Sequence, residues 1–197
     1  MTDEKERYAN IFAIEKVPFY DQTTLSNWDQ KGFISVEEAM TWHKKACGAT
    51  CVKMIVEAFK GENLPLGEII RDAVKDDSYK AGLGWVHQPL ATFISKRFDL
   101  VATAHRQIST DRIKTALTEG ALVIASVGLG FKEKKNGHLI VVLGCELKDG
   151  EVSGFYVHHP STDKELCWVK KHIPIQDFAN AFSSNIIEVK NLKHFNG

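Results

Sequence analysis

Ala46-Cys47-Gly48-Ala49-Thr50-Cys51-Val52-Lys53-Met54 sets a cysteine in the first turn of a segment patterned as a buried helix. Cys51, Met54, Ile55 and Ala58 follow Cys47 at about one-turn intervals, while Val52, Val56 and Phe59 cover an adjoining face. Lys53, Glu57 and Lys60 mark a narrow solvent side, and Gly61 supplies the stop. The start of a helix leaves backbone N–H groups without partners and carries the positive end of the helix dipole. Both favour a thiolate, the reactive form of cysteine. Cys47 is therefore the first candidate for chemistry, although a Cys-Gly pair taken alone reads more readily as an ordinary buried cysteine.

Outward from that helix, Ser35-Val36-Glu37-Glu38 has the form of a capping box and opens a short helix through Ala39, Met40 and Trp42 toward Lys45. A break then delivers Cys47 to its own helix. Helical patterns follow at 66–74, 89–98 and 110–117, with a glycine-rich link at 81–85. The last third reads as sheet: an apolar run at 121–127, a second at 137–145, then 152–158 after an Asp149-Gly150 turn, and further strands at 166–169 and 186–189. A short helix is predicted at 175–182. These elements predict an α+β fold, a single domain over 1–197 with the nucleophile helix packed on an antiparallel sheet, and residues 1–34 as an N-terminal extension.

Lys plus Arg equals Asp plus Glu at 25 each in 197 residues, so no net field draws the chain to nucleic acid or an acidic membrane. No apolar run approaches the roughly 20 residues of a membrane span, and the first residues lack a signal-peptide pattern. A cytoplasmic location is the expectation, with Cys47, Cys51, Cys145 and Cys167 reduced. Nothing in the sequence calls for a cofactor.

His138 is the second candidate. It opens a strand beside Gly137, after a polar stretch at 132–135 that reads as a solvated hairpin tip. An imidazole there would take the Cys47 proton as general base and later protonate a leaving amine. The alternative is a strand-edge histidine bonded to a backbone carbonyl.

Taken together, Ala46-Cys47-Gly48-Ala49, Gly137-His138-Leu139-Ile140-Val141-Val142 and Tyr156-Val157-His158-His159-Pro160 resemble the double-glycine leader (bacteriocin-processing) peptidase family and its stand-alone relatives. These are papain-like cysteine peptidases. The family's opening Val-Pro-aromatic-x-x-Gln segment is matched by Val17-Pro18-Phe19-Tyr20-Asp21-Gln22. The resemblance implies a papain-like fold, Cys47 as nucleophile, His138 as base, a Gln22 amide donating to the oxyanion, and a peptide or amide substrate. Two departures stand out. The stretch between Gln22 and Cys47 is longer than the family's, which brings in Gln30 or the Trp42-His43 pair as substitutes. His159 also occupies the place of the family's Asp, with Asp163 as a more distant alternative third group; a neutral imidazole can orient the base but brings no negative charge.

Trp85 and His87, after the glycine pair, are candidates for the substrate groove together with Gly137, Trp85 reading somewhat more readily as a core anchor. A metal site from His43, Cys47 and Cys51 would need one continuous helix, and the break before Cys47 argues against it. Two functional alternatives remain on the same scaffold: a peptide-binding module without efficient chemistry, and an acyltransferase or deamidase.

Overall fold

Residues 7–131 and 137–191 are described by a computed structural model; the hairpin tip anticipated at 132–135 and residues 1–6 of the start read for a signal peptide lie outside them. The elements run β1 (Tyr8–Phe12), α1 (Val36–Trp42), α2 (Cys47–Lys60), α3 (Leu66–Lys75), β2 (Tyr79–Lys80), β3 (Gly84–Trp85), α4 (His87–Phe98), β4 (Val101–Arg106), α5 (Thr110–Thr118), β5 (Leu122–Gly128), β6 (Gly137–Lys148), β7 (Glu151–His159), β8 (Trp168–Pro174), α6 (Ile175–Ala181) and β9 (Phe182–Lys190). The fold is α+β and antiparallel, as the pattern predicts. Ser35 caps α1 by accepting the Glu38 N–H at 3.2 Å, and the Glu38 carboxylate reaches back to the Ile34 N–H at 2.7 Å, a capping box displaced by one residue.

The main sheet has the order β4-β9-β5-β6-β7-β8, with β1 paired to the far half of β6. Asp149 and Gly150, both at positive φ (51° and 90°), turn β6 into β7, the backbone that an Asp-Gly hairpin requires. Along β6, Leu139, Val141 and Leu143 join a core with α2, α3 and α4. Ile140 and Val142 join the opposite core with Ile113 of α5 and Phe178 of α6. Burial on both faces explains why β5 and β6 read as continuous apolar runs instead of alternating ones.

Several local readings change. β1 and β4 carry no predicted strand, and the glycine-rich link is the turn of the small β2–β3 hairpin. Residues 164–166 form a turn of 3₁₀-helix capped by Asp163, so β8 starts later than expected. Phe182 begins β9 instead of ending α6. Among the described residues no helix is long and apolar enough to cross a membrane.

Candidate active site

One cleft of about 450 Å³ brings together Gln22, Cys47, Gly137 and His138, which come from three separate regions of the chain. Lys44, Leu129, Ser161, Thr162, Asp163 and Leu166 complete its walls. The two leucines supply apolar lining that no motif singles out. Their only advance signal is nearness to the His138 loop and to Pro160.

The break expected before Cys47 exists. α1 ends at Trp42, Lys44 takes a left-handed backbone at φ 67°, and Ala46 caps α2 without any side-chain hydrogen bond. The first N–H groups of α2 are therefore unclaimed by a capping side chain. Backbone N–H groups of Leu139, Gly48 and Cys47 favour the thiolate, yet burial outweighs them and raises the Cys47 pKa above the ordinary thiol value. The Leu139 contact ties the start of α2 to the residue after His138. Cys47 is 8 % exposed and lines the cleft.

His138 is 5 % exposed. Burial, reinforced by the neighbouring His159, lowers its pKa to about 3 against the opposing influence of the Pro160 carbonyl. Among the described residues its Nε2 has no hydrogen-bond partner. The imidazole is therefore neutral at rest, with one nitrogen unclaimed. His159, fully buried, stacks on it with ring centroids 4.4 Å apart and planes at 26°. Trp168 and Phe131 flank its ring at 5.0 and 6.0 Å. Among the described residues neither His159 nitrogen has a hydrogen bond of normal geometry. Burial lowers its pKa to about 4, although its own carbonyl and that of Leu166 favour the charged form. His159 thus meets His138 by stacking and not by a hydrogen bond.

Gln22 lies in the cleft, 3 % exposed, and its Oε1 has no partner among the described residues. Gln30 lines a different cavity beside Tyr20 and Lys53. Trp42 packs on Tyr79 and Trp85, and His43 is absent from the cleft wall. Trp85 and His87 are absent from it too. Trp85 packs against Gly48 and donates its Nε1–H to the Lys45 carbonyl at 2.7 Å, supporting the start of α2 from behind. His87 begins α4, its pKa lowered first by burial and then by Arg106. Asp163 reaches the cleft, but its carboxylate accepts the Glu165 N–H at 2.9 Å. Among the described residues no group of three His, Cys, Asp or Glu side chains is placed to hold a metal ion. His43 falls outside the helix that carries Cys47 and Cys51.

Residues 14–185 match the "Peptidase_C39 like family", and the chain belongs to that family. A comparison with curated proteins finds no match. Among solved structures the chain is similar to a C39-like protein from Bacillus anthracis (14% identity, TM-score 0.63, covering 93% of this chain and 98% of that one). It is also similar to a double glycine motif protease from an AMS/PCAT transporter in complex with the leader peptide (17% identity, TM-score 0.53, 89% and 93%). A third similarity is to the peptidase domain of Streptococcus ComA, a bi-functional ABC transporter involved in a quorum sensing pathway (13% identity, TM-score 0.53, 74% and 91%). Identities this low speak to the fold, which is the papain-like one of the family.

Proposed function

We propose that the chain is a thiol-dependent hydrolase that cleaves a peptide or amide bond, with Cys47 as nucleophile, His138 as general base and Gln22 as oxyanion donor. The observation that carries this reading is the meeting of those three side chains, distant in sequence, in one cleft. Attack of the Cys47 sulfur on the carbonyl carbon passes the thiol proton to the imidazole of His138, which lines the same cleft. The carbonyl π pair moves onto oxygen, where Gln22 and the N–H of Cys47 meet the developing charge. His138 then protonates the leaving amine, and water hydrolyses the thioester.

In this reading His159 holds the imidazole plane by stacking in place of a carboxylate. With a raised thiol pKa and a lowered imidazole pKa, the resting pair is neutral, and charge separation develops only during attack. Slow turnover follows. Leu129 and Leu166 suit an apolar side chain of an extended peptide, and one structural relative is a complex with a leader peptide, which supports a peptide as substrate class. The absence of a carboxylate on His138 favours a second reading, a peptide-binding module without efficient chemistry.

A thiol-directed activity probe separates the two. Stoichiometric labelling of Cys47 that is lost in His138→Ala supports the hydrolase. Equal, slow labelling of Cys47 and Cys51 supports the binding module, because Cys51 is fully buried with a pKa raised by that burial.

A further inference from the structure

His158 has no part in the chemistry above, yet it is firmly held. It is 2 % exposed. Its Nδ1 accepts the Lys170 backbone N–H at 2.9 Å, which leaves the ring proton on Nε2, and Nε2 donates to the Val17 carbonyl at 3.1 Å. The Phe19 ring meets the imidazole edge-on at 5.2 Å. The Lys170 N–H reaches the ring through a bulge. Between the pairs Val157–Lys171 and His159–Trp168, β8 sets Val169 and Lys170 against the single residue His158, and Lys170 has φ 46°. A left-handed lysine in a bulge is a strained way to run a strand. Its result is an N–H aimed at His158.

Successive side chains of a strand point to opposite faces. On β7, His159 meets His138, while His158 meets the Val17–Phe19 run that leads to Gln22. The geometry points to His158 as a positioning residue for the Gln22 amide: it clamps Val17 and Phe19 to the strand that carries His159, and so registers the oxyanion donor with the base. This rests on the cysteine-peptidase reading of the cleft. The segment has other anchors near and beyond Gln22, where Tyr20 donates to Glu57 at 2.6 Å and Thr24 to the Ala39 carbonyl at 2.5 Å. Removing His158 therefore loosens one end of the segment and leaves the other attached.

Two reagents report on Cys47 in different ways. N-Acetyl-glycyl-glycinal adds to the thiol: an S–C bond forms, the C=O π pair goes to oxygen, and the thiol proton ends on that oxygen, so affinity depends on the oxyanion donor. Iodoacetamide forms an S–C bond and expels iodide, with the proton released to solvent and no oxyanion. His158→Ala is expected to weaken aldehyde protection of Cys47 by about tenfold or more, and Gln22→Ala by a similar factor. The double variant is expected to lose no more than about twofold beyond either single one, since the two residues act as a unit. His158→Gln, whose side-chain N–H reaches where Nε2–H stood, should recover most of the affinity. Iodoacetamide rates, read on the same samples, stay unchanged and show that the cleft is intact. Wild-type affinity in His158→Ala, additive losses in the double variant, or a parallel fall in iodoacetamide rate would overturn the assignment. If wild-type Cys47 reacts with iodoacetamide but never with the aldehyde, the peptidase reading itself fails, and the role of His158 with it.

Discussion

The imidazole of His159 lies against that of His138 and offers it neither a carboxylate nor a hydrogen bond, so the base must accept its proton in a buried position without a carboxylate from residue 159. The consequence is measurable as the pH dependence of Cys47 reactivity. A thiolate–imidazolium pair would give an alkylation rate that is level across neutral pH. The raised Cys47 pKa and the His138 pKa of about 3 predict instead an iodoacetamide rate that climbs about tenfold per pH unit through the neutral range, following the small thiolate fraction. A neutral plateau would refute the neutral resting pair. His159→Asp supplies the missing charge. A carboxylate beside an imidazole raises its pKa by about 1 to 3 pH units, from about 3 toward about 6 at most, so labelling of Cys47 near pH 6 should rise while the slope above it persists, the imidazole pKa still lying below that of the thiol. An unchanged profile in His159→Asp would mean that position 159 does not govern the base.

At the scale of elements, the entry into α2 depends on a glycine and a tryptophan that the sequence presents as unrelated. A Cβ at Gly48 would sit 2.5 Å from carbons of the Trp85 indole, and that ring cannot step aside while it donates to the Lys45 carbonyl and packs on Trp42 and Tyr79. Gly48→Ala should therefore cost about 1 to 3 kcal/mol through overpacking, read as a lower urea midpoint, and should slow Cys47 alkylation because the first turn of α2 has to shift. A midpoint equal to wild type would show that the indole yields. The α2 and Asp149-Gly150 readings succeeded because helix spacing and turn chemistry are local. β1 and β4 escaped because a five-residue strand and the run Val101-Ala102-Thr103-Ala104-His105-Arg106, small and half-exposed, carry little apolar alternation. No local signal says which face of a sheet a helix will cover, so the placement of α5 and α6 opposite α2 could only come from the packed chain.

For the molecule as a whole, Cys47, His138 and Gln22 were legible as candidates because each sits in a short motif. Their common cleft depends on long-range pairing, and the stacking of His159 and the clamp by His158 depend on strand register that no motif encodes. The same register buries imidazoles in neutral form, which ties the stability of the fold to pH. His138 and His159 titrate at about 3 and about 4 in the folded protein, against about 6.5 in an unfolded chain. Between those values the unfolded state binds protons that the folded state refuses, so their contribution is fully present above about pH 6.5 and drains away on acidification toward the folded values. The slope approaches about 1.4 kcal/mol per pH unit for each histidine. Urea midpoints should accordingly hold steady above neutrality and fall steeply between about pH 6.5 and about pH 4. His159→Phe keeps a ring between Phe131 and Trp168 while removing one titrating group, the one whose protonation opposes that of His138, so its midpoint should fall with a visibly shallower slope. Equal slopes in the two proteins would show that position 159 takes no part in acid unfolding, and would leave the acid sensitivity to His138 and the other histidines whose pKa burial lowers, His87 and His158.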